Sequence, residues 1–239
     1  YLSHLNVILG NYHQVAENNK YFTTNKTISD HLTDGLLKDE QKHFRSFYNV
    51  NRKWPADQAA LLYSLYLFDQ NFGTNISERP IKEWFDYMDN HGTDGNTGLY
   101  YSEVTNGSKF AKIPRGCAMS WSIIYISEFA PEKAEELWTN YKEHFLKDFG
   151  VFAGFREVPK GMEYLPDSDS GPIILEVGSS ATAFGIGAAK AMNDHRTSRK
   201  LNRGLNMGYL FADMLGNEYT KRISESLMAS SVKFCVETI

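Results

Sequence analysis

Only two cysteines, Cys117 and Cys235, occur in 239 residues, far apart and without a CxxC or mixed Cys/His ligand spacing. The chain therefore carries neither a disulfide framework nor a zinc-site pattern. Long apolar stretches are equally scarce. None approaches the roughly 20 residues that cross a bilayer, and the first residues lack the basic-then-apolar order of a signal peptide. Lys and Arg never form a run, the formal net charge is -4 and the pI is near 6.0. That charge pattern argues against a nucleic-acid or anionic-membrane surface and for a small-molecule partner. The seven histidines show no HExxH spacing and no GxSxG elbow is present, so zincin and hydrolase-triad chemistry are set aside. "GIGAAK" resembles a phosphate loop in letters only, because it lies inside a helical run, and no nicotinamide or nucleotide cofactor is expected.

Hydrophobic and aromatic residues are well supplied, at 42% and 14%. One domain spanning residues 1–239 can bury a large core without staples. The aromatics fit either a thick core or a sugar-stacking cleft. "YLSHLNVILGNYHQV" at the start reads as the middle of a helix, so the chain is expected to be the C-terminal part of a longer one. The compartment stays open, with a cell-envelope or periplasmic location following only from that expectation. Homo-oligomerisation also stays open.

Three segments share a plan: "WPADQAALLYSLYLFD", "IPRGCAMSWSIIYISEF" and "SGPIILEVGSSATAFGIGAAKAM". Each has a proline near its start, Pro55, Pro114 and Pro172, and then an apolar helical run; the interval of about 60 residues marks stacked supersecondary units. The first two are followed by amphipathic helices, "SERPIKEWFDYMDN" with Ser77 as N-cap and "APEKAEELWTNYKEHFLKDF". In the latter, Ala134, Leu137, Trp138, Tyr141 and Phe145 follow the three-and-four spacing of one buried face. Apolar members are inner helices and amphipathic members outer ones. The connections back to the inner helices are long, Gly-rich and strand-like, about 15 to 25 residues, and such loops tend to carry function. The expected fold is an all-α, α/α toroid of helical hairpins, of the six-hairpin type but incomplete at its N-terminus, with short β pieces in the long loops.

The order "WPADQAALLYSLYLFDQNFG", "IKEWFDYM", "GLYYSEV", "SWSIIYI", "FREV" and "DSDSGP…ATAFGIGAAKAMND" resembles the linalool dehydratase/isomerase family. The resemblance implies an α/α barrel and cofactor-free acid/base chemistry on a terpenoid alcohol. It carries over Pro55 and Asp57, and Arg156 and Glu157, as pocket-lining positions. The family's cysteines in the stretch matching "KWPADQAALLYS" have no counterpart here, and Cys117 lies one hairpin later.

Carboxylates are the leading catalytic candidates. Asp57 sits in the first turn of an inner helix, where helix capping and a catalytic or ligand-binding role both fit. Asp167 and Asp169 lie one residue apart in "YLPDSDSGP". A structural turn fits them; so does a mutually repelling pair in which one carboxyl stays protonated beside an ionised one. A divalent cation is a third reading of Asp-x-Asp, but nothing completes an EF-hand, and no metal is expected. Asp57 and Asp169 together make the expected acid/base pair on a hydroxylated small molecule or saccharide, of glycosidase or lyase type. A noncatalytic glycan-binding module is the alternative from another class.

Around them stand expected substrate-binding residues. Tyr100, Tyr101 and Tyr164 suit the rim of a sugar or terpenoid pocket, and Trp54 suits equally stacking on a sugar or covering the hairpin packing. Arg115 suits holding Asp169 or a substrate carboxylate. Alternation sends Arg156 and Glu157 to opposite faces, so one points into the pocket, with buried ion pairing as the other reading. Cys117 and Trp121 share a helical face, where a buried thiol is the commoner reading. His43 is a weaker acid/base candidate.

Overall fold

A computed structural model of the chain describes residues 1–47, 50–105, 112–163, 166–167 and 169–214. Helix predominates among the described residues, with eight α-helices and strands of only two or three residues. No described helix is long and apolar enough to cross a membrane. The chain packs into two compact units. The first takes Tyr1–Asp94, Tyr100–Ile113 and Glu128–Ala130, and the second takes Gly95–Leu99, Pro114–Ser127 and the residues from Pro131 onward.

In the first unit α1 (Leu2–Ala16), α2 (Phe22–Lys38), α3 (Pro55–Phe72) and α4 (Glu78–Tyr87) follow in order, and α4 runs into a π-helical turn, Met88–Gly92. Pro55 opens α3, where its missing N–H leaves nothing unsatisfied. Gly73 ends α3 in the left-handed region, at φ 65°. As expected of an inner helix, α3 buries residues on nearly every side, including Ala59, Leu61, Leu62, Leu65 and Phe68. α1 approaches it closely at Gly10, where a Cβ would stand 2.7 Å from Leu67.

A buried polar seam links the first three helices. Asn6 donates to Ser29 at 2.9 Å and Ser64 at 3.1 Å, and Asn25 donates to Asn6 at 2.6 Å. Most such groups in a core are paired; here Asn25 Oδ1 is buried with no partner among the described residues. Ser77 stands before α4, but its side chain makes no cap bond. Instead the buried Asp69 carboxylate accepts the N–H groups of Ile76 and Ser77, at 2.9 and 2.8 Å.

The second unit holds α5 (Gly116–Phe129, except its last two residues), α6 (Pro131–Phe145), two small hairpins, α7 (Ser179–Ala191) and α8 (His195–Met214). The hairpins are β1 (Leu146–Asp148) with β2 (Ala153–Phe155), and β3 (Ile173–Ile174) with β4 (Val177–Gly178), both antiparallel. α6 buries the expected face of Ala134, Leu137, Trp138, Tyr141 and Phe145. The Tyr141 ring stacks on Phe155 with centroids 4.2 Å apart. Burying each such ring is worth about 1.5–3 kcal/mol.

The third apolar run departs from expectation. It does not turn helical at Pro172: Leu175 and Glu176 take φ values of 51° and 66° and fold Ile173–Gly178 into the β3–β4 hairpin, and α7 begins only at Ser179. Two successive left-handed residues are the signature of a two-residue hairpin turn. They override the apolar pattern.

Candidate functional site

The second unit gathers Arg115, Cys117, Glu157, Asp167 and Asp169. Gly116 makes this geometry. Its N–H donates to the Glu157 carbonyl at 2.8 Å, and a Cβ on it would stand 2.1 Å from the Arg156 carbonyl oxygen. Only glycine lets the start of α5 lie this near another backbone. Arg115 and Cys117, on either side of Gly116, are thereby delivered to the Glu157 side chain.

Glu157 Oε1 accepts two bonds, from Arg115 Nε at 2.9 Å and from the Cys117 thiol at 3.0 Å. Arg115 and Glu157 side chains are 5% and 1% exposed, so the ion pair is screened little by water. Glu157 Oε2 is also buried, with no hydrogen-bond partner among the described residues. It lies 3.3 Å from where a Cβ on Gly178 would be. Burial pushes the Glu157 carboxyl above its ordinary value, opposed by Arg115 and by the bonds from Cys117 and Arg115, and aided by the Asp167 charge. The Cys117 thiol is pushed well up, first by burial and then by the Glu157 charge, with Arg115 opposing. It is a proton-bearing thiol rather than a nucleophilic thiolate.

A third titratable group supports α5 from below. Tyr141 donates to the Gly116 carbonyl at 3.0 Å, and Ser120 bonds the Tyr141 hydroxyl at 2.9 Å. Burial pushes this phenol well up too, so it stays a donor. One turn along α5 from Cys117, the half-buried Trp121 packs edge-on to Phe184 and Tyr125, with centroids at 4.9 and 5.3 Å.

The two aspartates of "YLPDSDSGP" divide their roles. Asp167 Oδ1 accepts the N–H of Asp169 at 3.0 Å and of Ser170 at 2.9 Å, and takes Arg115 Nη2 at 3.0 Å. It folds the turn and fixes the guanidinium. Asp169 lies 3.7 Å from Arg115 Nη1, and its side chain is 51% exposed. Neither aspartate caps α7. The N–H groups of Ser179 and Ser180 go instead to the backbone carbonyls of Pro172 and Ser170, both at 3.1 Å. A single guanidinium thus faces three carboxyl groups. Among the described residues no group of three or more His, Cys, Asp or Glu is arranged to hold a metal ion.

The alternation expected at Arg156 and Glu157 separates them. Arg156 pairs outward with Glu176 at 3.1 Å while Glu157 turns inward to Arg115. Trp54, Asp57, Tyr100, Tyr101 and His43 lie in the first unit. Asp57 is half-buried in the first turn of α3; burial pushes its carboxyl up, with Ser46 and His4 opposing. Trp54 precedes it with its ring edge-on to Phe47 at 4.9 Å. Asp57 and Asp169 belong to different units.

Tyr100 was expected at a rim, but it is 1% exposed and packs against Trp84 in the core, ring centroids 5.5 Å apart. Tyr101 lines a cavity in the first unit. Tyr164 lies outside the described residues. His43 is a core residue: it accepts from Trp84 Nε1 at 3.2 Å, its other nitrogen bonds the Gln41 carbonyl, and burial lowers its pKa to about 4.

Sequence reasoning missed Tyr141, Gly116 and Glu103. Tyr141 and Gly116 look like ordinary core and helix-start residues until the backbone contact is seen. Glu103 had a signal, because "YYSEV" in an extended segment sends Tyr101 and Glu103 to the same side. Compared with known proteins, the chain matches no family model and no curated protein sequence.

Proposed function

We propose that this chain is an enzyme that acts on a hydroxylated small molecule by acid/base chemistry, with the Cys117 thiol as proton donor, the Asp169 carboxylate as proton acceptor and the Glu157 carboxylate holding the thiol in place. The observation that carries the reading is the sharing of Glu157 Oε1 by Arg115 and Cys117. With Arg115 and Cys117 both donating to Oε1, Glu157 is the acceptor that orients the thiol. The thiol keeps its proton and is only partly buried, so it can present that proton to a substrate. Protonation of a substrate hydroxyl by the Cys117 thiol lets the C–O bond break with loss of water. The more exposed Asp169 carboxylate takes the proton lost from the neighbouring carbon and returns it to the Cys117 sulfur, so the substrate gives an alkene and water and both groups end as they began.

The architecture that goes with this reading is an α/α toroid of helical hairpins similar to the linalool dehydratase/isomerase family. It is supported by the inner character of α3 and α7 and the one-faced burial of α6. The aromatic ledge of Trp121, Tyr125 and Phe184 beside Cys117 favours a substrate with an apolar body, such as a terpenoid alcohol.

The test incubates the purified chain with terpene alcohols and with mono- and oligosaccharides, following products by mass spectrometry. Glu157→Gln and Cys117→Ser are each expected to lower kcat about 10²- to 10⁴-fold with little change in KM. Glu157→Gln turning over at the wild-type rate would remove Glu157 from the chemistry. No turnover of any substrate by the wild type would overturn the enzyme reading.

A further inference from the structure

The first unit contains a cavity of about 320 Å³, lined by Gln41, Tyr87, His91, Tyr101, Glu103 and Lys112 among others. We propose that it binds a neutral, polyhydroxylated ring, a mono- or disaccharide. The proposal goes beyond the Glu157 chemistry and does not depend on it.

The volume falls in the range of small-ligand sites. Its walls are held in place before any ligand arrives. Gln41 Nε2 donates to the Val104 carbonyl at 3.0 Å and to the Tyr87 hydroxyl at 3.3 Å, while Gln41 Oε1 accepts from Lys53 at 3.0 Å. Lys53 is itself anchored to Asp39 at 2.6 Å. His91 comes from the π-helical turn that follows α4, an irregularity that is frequent at functional sites. Its ring lies 5.3 Å from that of Tyr87.

Glu103 decides the chemistry. The residue is 2% exposed; Thr105 donates to its Oε1, and its Oε2 has no hydrogen-bond partner among the described residues. A buried carboxyl oxygen without a donor is costly, and a ligand hydroxyl would satisfy it. Lys112, exposed at the same cavity, supplies a donor of the opposite charge. A ligand cation would be opposed by Lys112 and a ligand anion by Glu103. A neutral ring whose hydroxyls both donate and accept meets neither penalty. The rings of Tyr87, His91 and Tyr101 line the cavity and supply aromatic surface for its C–H groups.

Saturation-transfer NMR and titration calorimetry on the whole chain, with glucose, galactose, mannose, maltose and cellobiose as probes and glycine and glutamine as controls, test this. At least one saccharide is expected to bind, and Glu103→Gln and Lys112→Met each to weaken it about tenfold or more. Lys112 is exposed, so its replacement decides the matter if Glu103→Gln fails to fold. Three results would overturn the proposal: no saccharide binding, saccharide binding unchanged in the folded variants, or amino acids binding in place of sugars. Binding is read without turnover, so its failure is distinct from failure of the proposed enzyme activity.

Discussion

The Cys117 thiol and the Arg115 guanidinium meet on one oxygen, Glu157 Oε1, at 3.0 and 2.9 Å. Because both residues flank Gly116, the convergence is set by the close approach of the α5 start to the Arg156–Glu157 backbone. Stability and reactivity at this point are therefore coupled.

Arg115→Met leaves Glu157 buried without its counter-charge. It should destabilise the second unit by about 3–5 kcal/mol, because removing one partner of a buried pair strands the other. The double variant Arg115→Met/Glu157→Leu should recover much of the loss. Urea denaturation followed by tryptophan fluorescence measures both, and a double variant as weak as the single would show that the pair matters through packing alone.

Gly116→Ala should cost more than about 3 kcal/mol, since the new methyl meets a backbone carbonyl that cannot rotate away. Gly73→Ala meets nothing within 4 Å and strains only a left-handed φ of 65°, so it should cost about 1 kcal/mol. Thermal melting of the two variants checks the order.

Cys117 should resist alkylation at neutral pH, since burial and the Glu157 charge both hold the proton on sulfur. In a Cys235→Ser background, iodoacetamide labelling should be slow in the folded chain and faster once Glu157 is replaced by Gln. Equal rates in the two proteins would show that the carboxylate does not control the thiol.

Two acid transitions should appear at different pH. His43 has a folded pKa of about 4, below its ordinary 6.5. The unfolded chain takes that proton first, so this stabilisation is complete above pH 6.5 and declines as pH falls toward 4. The loss is about 3 kcal/mol. His43→Gln should flatten this limb of a stability–pH curve.

Asp194 answers at lower pH. Burial alone would raise it, but the bonds from Lys142 and from the Thr197 backbone and hydroxyl outweigh that and bring it to about 2. Its contribution is present above 3.8 and is lost as pH falls toward 2. Partial exposure of the pair reduces the effect, so Asp194→Asn should cost about 1–2 kcal/mol near neutrality and little at the acid end. A chemical-denaturation series across this range separates it from His43.

Helical character, the buried face of α6, the all-round burial of α3 and the separation of Arg156 from Glu157 were legible in the residues, because each is a local pattern. One turn of helix or one step of strand fixes which side chains share a face, whatever lies beyond. Other features needed the fold. The two left-handed residues that turn Ile173–Gly178 into a hairpin are invisible in an apolar run, and Tyr100 reads the same at a rim or against Trp84. Sequence marked Arg115 and Cys117 on one side and Glu157, Asp167 and Asp169 on the other as separate candidates, the two groups 40 and more residues apart. Bringing them onto one guanidinium and one carboxyl oxygen took a backbone contact at Gly116. Long-range approach of this kind depends on how whole elements pack, and a local sequence pattern carries no term for it.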